Sequence, residues 1–125
     1  MVPSSTTLAI LARWNRITDR DDLVAPHLLL AECTSVLTRY ACDKQIEESR
    51  ARALLRVVVQ LPVRLVHVTS LYPRAFDIAR SLGQKKAYDA LYLAAAEHDD
   101  AELLTVDGGM RDAARRMSIR ATLVR

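Results

Sequence analysis

Residues 87–106 read AYDALYLAAAEHDDAELLTV, an almost wholly apolar helical pattern followed closely by a short apolar run. A helix that is apolar all round has to be covered on every side. A run such as ELLTV, with no polar alternation, belongs to a strand buried on both faces. Helix and strand together call for a layered architecture in which helices cover a mostly parallel sheet.

The same alternation repeats along the chain. A helix is expected near the SSTT cluster, with Leu8, Leu11, Ala12 and Trp14 on one face, and the polar run TDRDD at 18–22 ends it as a loop. LVA at 23–25 reads as a strand, and Pro26 suits the opening of a helix because its missing N–H would be unpaired there anyway. HLLLAECTSVLTRYAC continues as a helix whose stripe is Leu29, Cys33, Val36, Leu37 and Tyr40. A second helix begins around Glu47 and Glu48 and stops before Pro62. RLVHV at 64–68 is a strand, Thr69 or Ser70 caps the following helix, and Gly83 closes it. GGMRDAARRM forms a last helix and RATLV at 120–124 a last strand. The predicted fold class is α/β, a three-layer sandwich with a short, mostly parallel sheet, built as one domain over residues 1–125. Right-handed crossovers are the default for such a sheet.

Half of the residues are hydrophobic and 26% are charged, which is globular composition rather than disorder. The net charge of +3 with a pI near 9.1 permits a polyanionic partner such as RNA without demanding one. Cys33 and Cys42 fall on one predicted helix, about 13 Å apart at its rise per residue, too far for a disulfide. Reduced cysteines suit the cytoplasm. His27, His67 and His98 show no metal-ligand spacing and read as surface or packed residues. No signal-peptide pattern and no apolar run of membrane-spanning length is present, so no membrane role is expected.

Three acids fall where such a fold gathers chemistry, near the carboxyl ends of parallel strands. Glu32 has Leu28, Leu29 and Val36 as its helical neighbours, so its carboxylate leaves an apolar part of the helix. A carboxylate there is paired, hydrated or metal-bound, or else its head reaches water. Asp89 opens the apolar helix and, taken alone, reads as a cap or first-turn acid. Asp107 follows the strand ELLTV and precedes two glycines, which let backbone approach a ligand closely. Carboxylates sharing one pocket repel unless a divalent cation screens them. Mg²⁺ or Mn²⁺ suits oxygen donors, and a cation so held activates water and stabilises charge on a phosphodiester. Spacing alone leaves both the cap and the metal reading open.

These residues also carry a resemblance. DLVAPHLLLAEC at 22–33, followed later by KAYDALYLAAAEHDDAELLTVD, resembles the PIN domain of the VapC toxin type. The matching positions are Glu32, Asp89 and Asp107, with Thr105 in the position of a threonine near the strand end. The resemblance runs in order over nearly the whole chain. It implies a Mg²⁺- or Mn²⁺-dependent endoribonuclease, dimeric, with an RNA substrate and a cognate antitoxin. Glu32, Asp89 and Asp107 would then hold the metal, and Thr105 would support them. Arg80, Lys85, Lys86 and Arg111 would meet RNA phosphates, contacts that give affinity without reading sequence.

One departure stands out. The PIN pattern begins with a central strand bearing an aspartate, whereas MVPSSTTLAILARWNRI resembles the helical region after it, and the first acid here is Asp19. The expectation is a sheet lacking that first central strand and a metal site short of one acid, in a chain that starts further upstream or is a truncated relative. The ribonuclease would then be weakened or inactive as represented. A non-catalytic PIN-like module binding RNA or protein is the competing reading. A phospho-acceptor receiver domain fits less well, because it needs paired acids after its first strand and a lysine at the end of a late strand.

Overall fold

A computed structural model describes residues 23–124. The expected helix carrying Leu8, Leu11, Ala12 and Trp14, the loop at 18–22 with Asp19, and the question of a strand ahead of them lie outside the described residues.

Strand β1 spans Leu23–Pro26 and leads into helix α1, Leu28–Cys42. Pro26 therefore ends the strand instead of opening the helix, which corrects the sequence expectation. It sits in register with Val66, and the N–H of the next residue, His27, donates to the Val66 carbonyl at 3.2 Å. A proline at the end of a strand costs little, because the hydrogen bond it cannot make is supplied one residue later. Helix α1 buries Glu32, Cys33, Val36 and Leu37 along one stripe.

Helix α2 spans Glu48–Val59 and strand β2 Val63–Val66, one residue earlier than expected at its start and two at its end. Helix α3 follows at Leu71–Ser81; Ser70 occupies the cap position, but its hydroxyl makes no capping bond. Helix α4 is Tyr88–His98, strand β3 Leu103–Thr105, helix α5 Gly108–Arg116 and strand β4 Ala121–Leu123. The result is the expected α/β arrangement, and among the described residues every strand is short and every pairing parallel. Among the described residues the strands form two separate parallel pairs, β1 with β2 and β3 with β4.

Helix α4 joins the two pairs, since it packs on β1, on β3 and along α3. Its Ala90, Leu93, Ala94, Ala95 and Ala96 are all buried, and the small alanines let α3 approach through Ala75, Ile78 and Ala79. Two ion pairs fasten the outer end of this helix. Arg74 grips Glu97 with both ends of its guanidinium, at 2.7 and 2.9 Å, and Arg64 reaches Asp99 at 2.8 Å. No helix among the described residues is long and apolar enough to cross a membrane.

Helix α3 stops through a Schellman turn. Gln84 N–H donates to the Ala79 carbonyl at 2.9 Å, and Gly83, at φ 69°, supplies the left-handed residue between. Helices α1, α4 and α5 end in the same way but on Lys44, Asp100 and Ser118, with φ of 58°, 49° and 60°. Side chains at such positions are strained by about 1 kcal/mol. Ser118→Gly and Lys44→Gly are expected to stabilise the protein by about 0.5–1 kcal/mol each, and Gly83→Ala to destabilise it by a similar amount, in urea unfolding.

The ion pairs give a pH dependence with a definite sign. Arg74 holds the Glu97 carboxyl below its usual 4.5, and His98 together with Arg64 holds Asp99 below its usual 3.8. Depressed carboxyls contribute stability above their unfolded values and lose it as pH falls through the folded ones. Between about pH 7 and about pH 3, wild type is expected to lose more unfolding free energy than the Glu97→Gln, Asp99→Asn double variant. Equal losses would show that neither pair matters to acid unfolding.

Candidate active site

Glu32 is placed by the short connection from β1 to α1, in the second turn of α1, where it meets Tyr92 of helix α4. It is 8% exposed. Its Oε1 accepts a hydrogen bond from the Tyr92 hydroxyl on α4, and its Oε2 is buried with no partner. An unpartnered buried acceptor costs about 1–3 kcal/mol, and more when it is charged. Burial pushes the Glu32 carboxyl up, the Tyr92 bond opposes this, and the negative charge of Asp89 adds to the rise. Burial and Glu32 together push the Tyr92 phenol far above its usual value, so it remains a donor.

Asp89 is the second residue of α4, one helical turn before Tyr92, and the two therefore share a face. The cap position belongs to Ala87, and no side chain caps this helix. Asp89 therefore does not cap, but it does stand as an acid in the first turn of the helix. Burial raises its carboxyl, and Asp107 raises it further.

Asp107 does cap. It lies between β3 and α5, and its Oδ1 accepts from Gly109 N–H at 2.8 Å and Met110 N–H at 3.3 Å. A Cβ at Gly109 would stand 3.2 Å from that oxygen, so glycine keeps the carboxylate's place clear. Thr105 is completely buried at the end of β3, and its Oγ1 accepts from the Asp107 N–H at 3.1 Å. The threonine thus fixes the backbone from which the aspartate projects.

The three acids form a chain of mutual repulsion, Glu32 feeling Asp89 and Asp89 feeling Asp107. Asp89 and Asp107 share a cavity of about 240 Å³, with Gln84, Leu93, Met110 and Arg116 also on its walls. Among the described residues no three His, Cys, Asp or Glu side chains stand close enough to hold an ion directly. The donor set nevertheless fits a hard cation. It consists of carboxylate oxygens, one of them buried and unpartnered, and Mg²⁺ keeps several of its waters when bound.

Of the basic residues, Arg80, Lys85 and Lys86 are exposed, while the Arg111 Nε donates to Asp112 at 3.3 Å. The histidines are less isolated than their spacing suggests. His27 and His67 meet edge to face at 5.3 Å beyond β1 and β2, and His98 contacts Asp99 at 2.8 Å. Sequence reasoning missed Tyr92, Gln84 and Arg116. Only Tyr92 carried a signal, its spacing one turn from Asp89.

Comparison with known proteins gives a consistent picture. Residues 3–116 match the PIN domain family. A VapC ribonuclease of Mycobacterium bovis and the ribonuclease VapC9 of Mycobacterium tuberculosis are each 30% identical over 115 residues, covering 90% of this chain and 88% of the relative.

Relief of the repulsion gives a measurement independent of activity. Asp89→Asn is expected to stabilise the metal-free protein by about 0.5–2 kcal/mol, as removal of a strained functional group does. Excess Mg²⁺ should raise the melting temperature of wild type and leave that of the variant nearly unmoved. A variant no more stable than wild type would mean that Asp89 is not under electrostatic strain.

Proposed function

The chain belongs to the PIN-domain family, and on that premise we propose that Glu32, Asp89 and Asp107 are the metal-holding acids of an endoribonuclease of the VapC toxin type. The observation that carries the reading is the buried, unpartnered Oε2 of Glu32 on a side chain repelled by Asp89. Evolution retains such a cost where a ligand offsets it.

Bound Mg²⁺ or Mn²⁺ supplies charge neutralisation at the phosphodiester and a more acidic water. The chain's own part is placement. Tyr92 holds Glu32 by one oxygen, Thr105 holds the backbone of Asp107, and the N-terminal amides of α5 hold its Oδ1. Arg80, Lys85 and Lys86, all exposed, bind phosphates along the RNA; Arg111 joins them if it leaves Asp112.

The remaining parts of the reading concern partners and place. The protein acts in the cytoplasm, forms a homodimer and is neutralised by a cognate antitoxin. Tyr72 and Phe76, exposed by 50% and 63% one turn apart on α3, offer apolar surface to a protein partner. The second reading is a PIN-like module that binds RNA or protein without cutting.

Cleavage of a single-stranded RNA with and without Mg²⁺ separates the two. Glu32→Gln, Asp89→Asn and Asp107→Asn are each expected to lower the rate roughly hundredfold or more. Thr105→Val, which loosens Asp107 alone, is expected to cost roughly tenfold. Cleavage by wild type that survives these acid substitutions would sink the metal-site assignment. RNA binding with no cleavage at any Mg²⁺ concentration would establish the non-catalytic module.

A further inference from the structure

Two histidines that the acidic site does not use are brought together by the strand pairing. Pro26 and Val66 are register partners at the ends of β1 and β2, and His27 and His67 are the residues that follow them. The His27 N–H donates to the Val66 carbonyl at 3.2 Å, so the two backbones stay side by side past the end of the ladder. The imidazoles lie with ring centroids 5.3 Å apart and planes at 61°. Both residues are exposed, so burial in a core does not account for their meeting.

The spacing is that of two ligands of one ion. A Zn–N bond of about 2.1 Å places an ion roughly 3.2 Å from the centre of an imidazole, and two rings so placed about a tetrahedral ion have centres roughly 5.2 Å apart. The observed separation is 5.3 Å. An ion bound to both rings must lie in the plane of each. Parallel rings share no such point, whereas planes at 61° meet along a line. The ring torsion of histidine is broad, so an exposed imidazole turns a nitrogen toward that line at small cost. From this juxtaposition we infer that His27 and His67 form a binding site for a borderline divalent cation such as Zn²⁺, with water completing its coordination.

The chemistry of the donors decides the ion. Neutral imidazole nitrogen suits Zn²⁺, Cu²⁺ or Ni²⁺, whereas Mg²⁺ keeps to oxygen. The inference therefore rests neither on the ribonuclease reading nor on the three acids. His27 immediately precedes α1, and His67 immediately follows β2. A cation between them ties the exit of β2 to the entry of the helix that carries Glu32, and only the folded chain offers both ligands together. The competing account is an edge-to-face contact without an ion, since such ring pairs attract weakly on their own.

The test is calorimetric titration of Zn²⁺ into the tag-free protein, with Mg²⁺ in excess throughout, beside the NMR signals of the three histidine rings. Wild type is expected to take up one Zn²⁺ with a dissociation constant on the order of 10 µM. The ring signals of His27 and His67 should shift and those of His98 stay in place. His27→Ala, His67→Gln and His67→Phe should each weaken binding by more than about tenfold. The phenylalanine keeps an aromatic edge against His27 but offers no ligand, and the two replacements at this exposed position separate lost ligation from lost folding. Asp89→Asn should bind Zn²⁺ as wild type does. No saturable binding below about 1 mM Zn²⁺ overturns the inference. So does binding that survives both His67 replacements, a shift confined to His98, or binding that Asp89→Asn abolishes. Zn²⁺ held by both histidines in a protein that cuts no RNA upholds the inference and counts against the ribonuclease reading alone.

Discussion

The hydrogen bond from the Tyr92 hydroxyl to Glu32 is the contact on which the rest of the site depends. It joins α1, which β1 positions, to α4, which packs on both strand pairs. Through it the second turn of one helix is locked to the first turns of another, and Asp89 stands one turn from the tyrosine on the same face. Without the bond both oxygens of a nearly buried carboxylate would lack partners. With it, one oxygen is satisfied and the side chain has a single orientation.

That orientation carries a standing cost. Burial and neighbouring charge raise the carboxyls of Glu32 and Asp89 together, so their ionised forms are disfavoured in the folded protein. Contributions of this kind weaken the fold as pH rises above the ordinary carboxylate range, opposite in sign to the ion pairs of Glu97 and Asp99. The protein therefore places its stabilising charges at the outer end of α4 and its destabilising ones at the inner end. The same helix bears both, and its alanine-rich middle, buried against α3, holds the two ends in a fixed relation.

Much of this was legible in the sequence, and the gaps have physical causes. Helices were readable because a stripe such as Cys33, Val36 and Leu37 repeats at helical spacing. Strands were readable in kind but not in extent. Val63 and Pro26 lie inside the ladder and His67 outside it, because pairing partners rather than local propensity decide where a ladder stops. Asp89 and Asp107 looked alike as cap candidates, since each precedes or opens a helix. Only the folded backbone distinguishes them, Asp107 capping and Asp89 not. Tyr92 packs and bonds at once, because its ring joins the core while its hydroxyl donates to Glu32. Gln84 went unnoticed, because nothing in a sequence marks which face of a turn meets a cavity.

Capping and the proposed metal-holding role are not rivals at Asp107. Both amides at the start of α5 donate to the same oxygen, Oδ1. Glu32 divides its carboxylate in the same way, with Oε1 bound to Tyr92 and Oε2 left over. Each acid commits one oxygen to the fold, and that bond removes the rotation which would otherwise have to be frozen when a ligand arrives. A carboxylate so held meets a cation or its water at little further entropic cost. A free surface aspartate would lose that advantage, and a fully satisfied one would have no oxygen to offer. The half-satisfied carboxylate is the state that serves both, and the burial of Glu32 and the glycine beside Asp107 each maintain it.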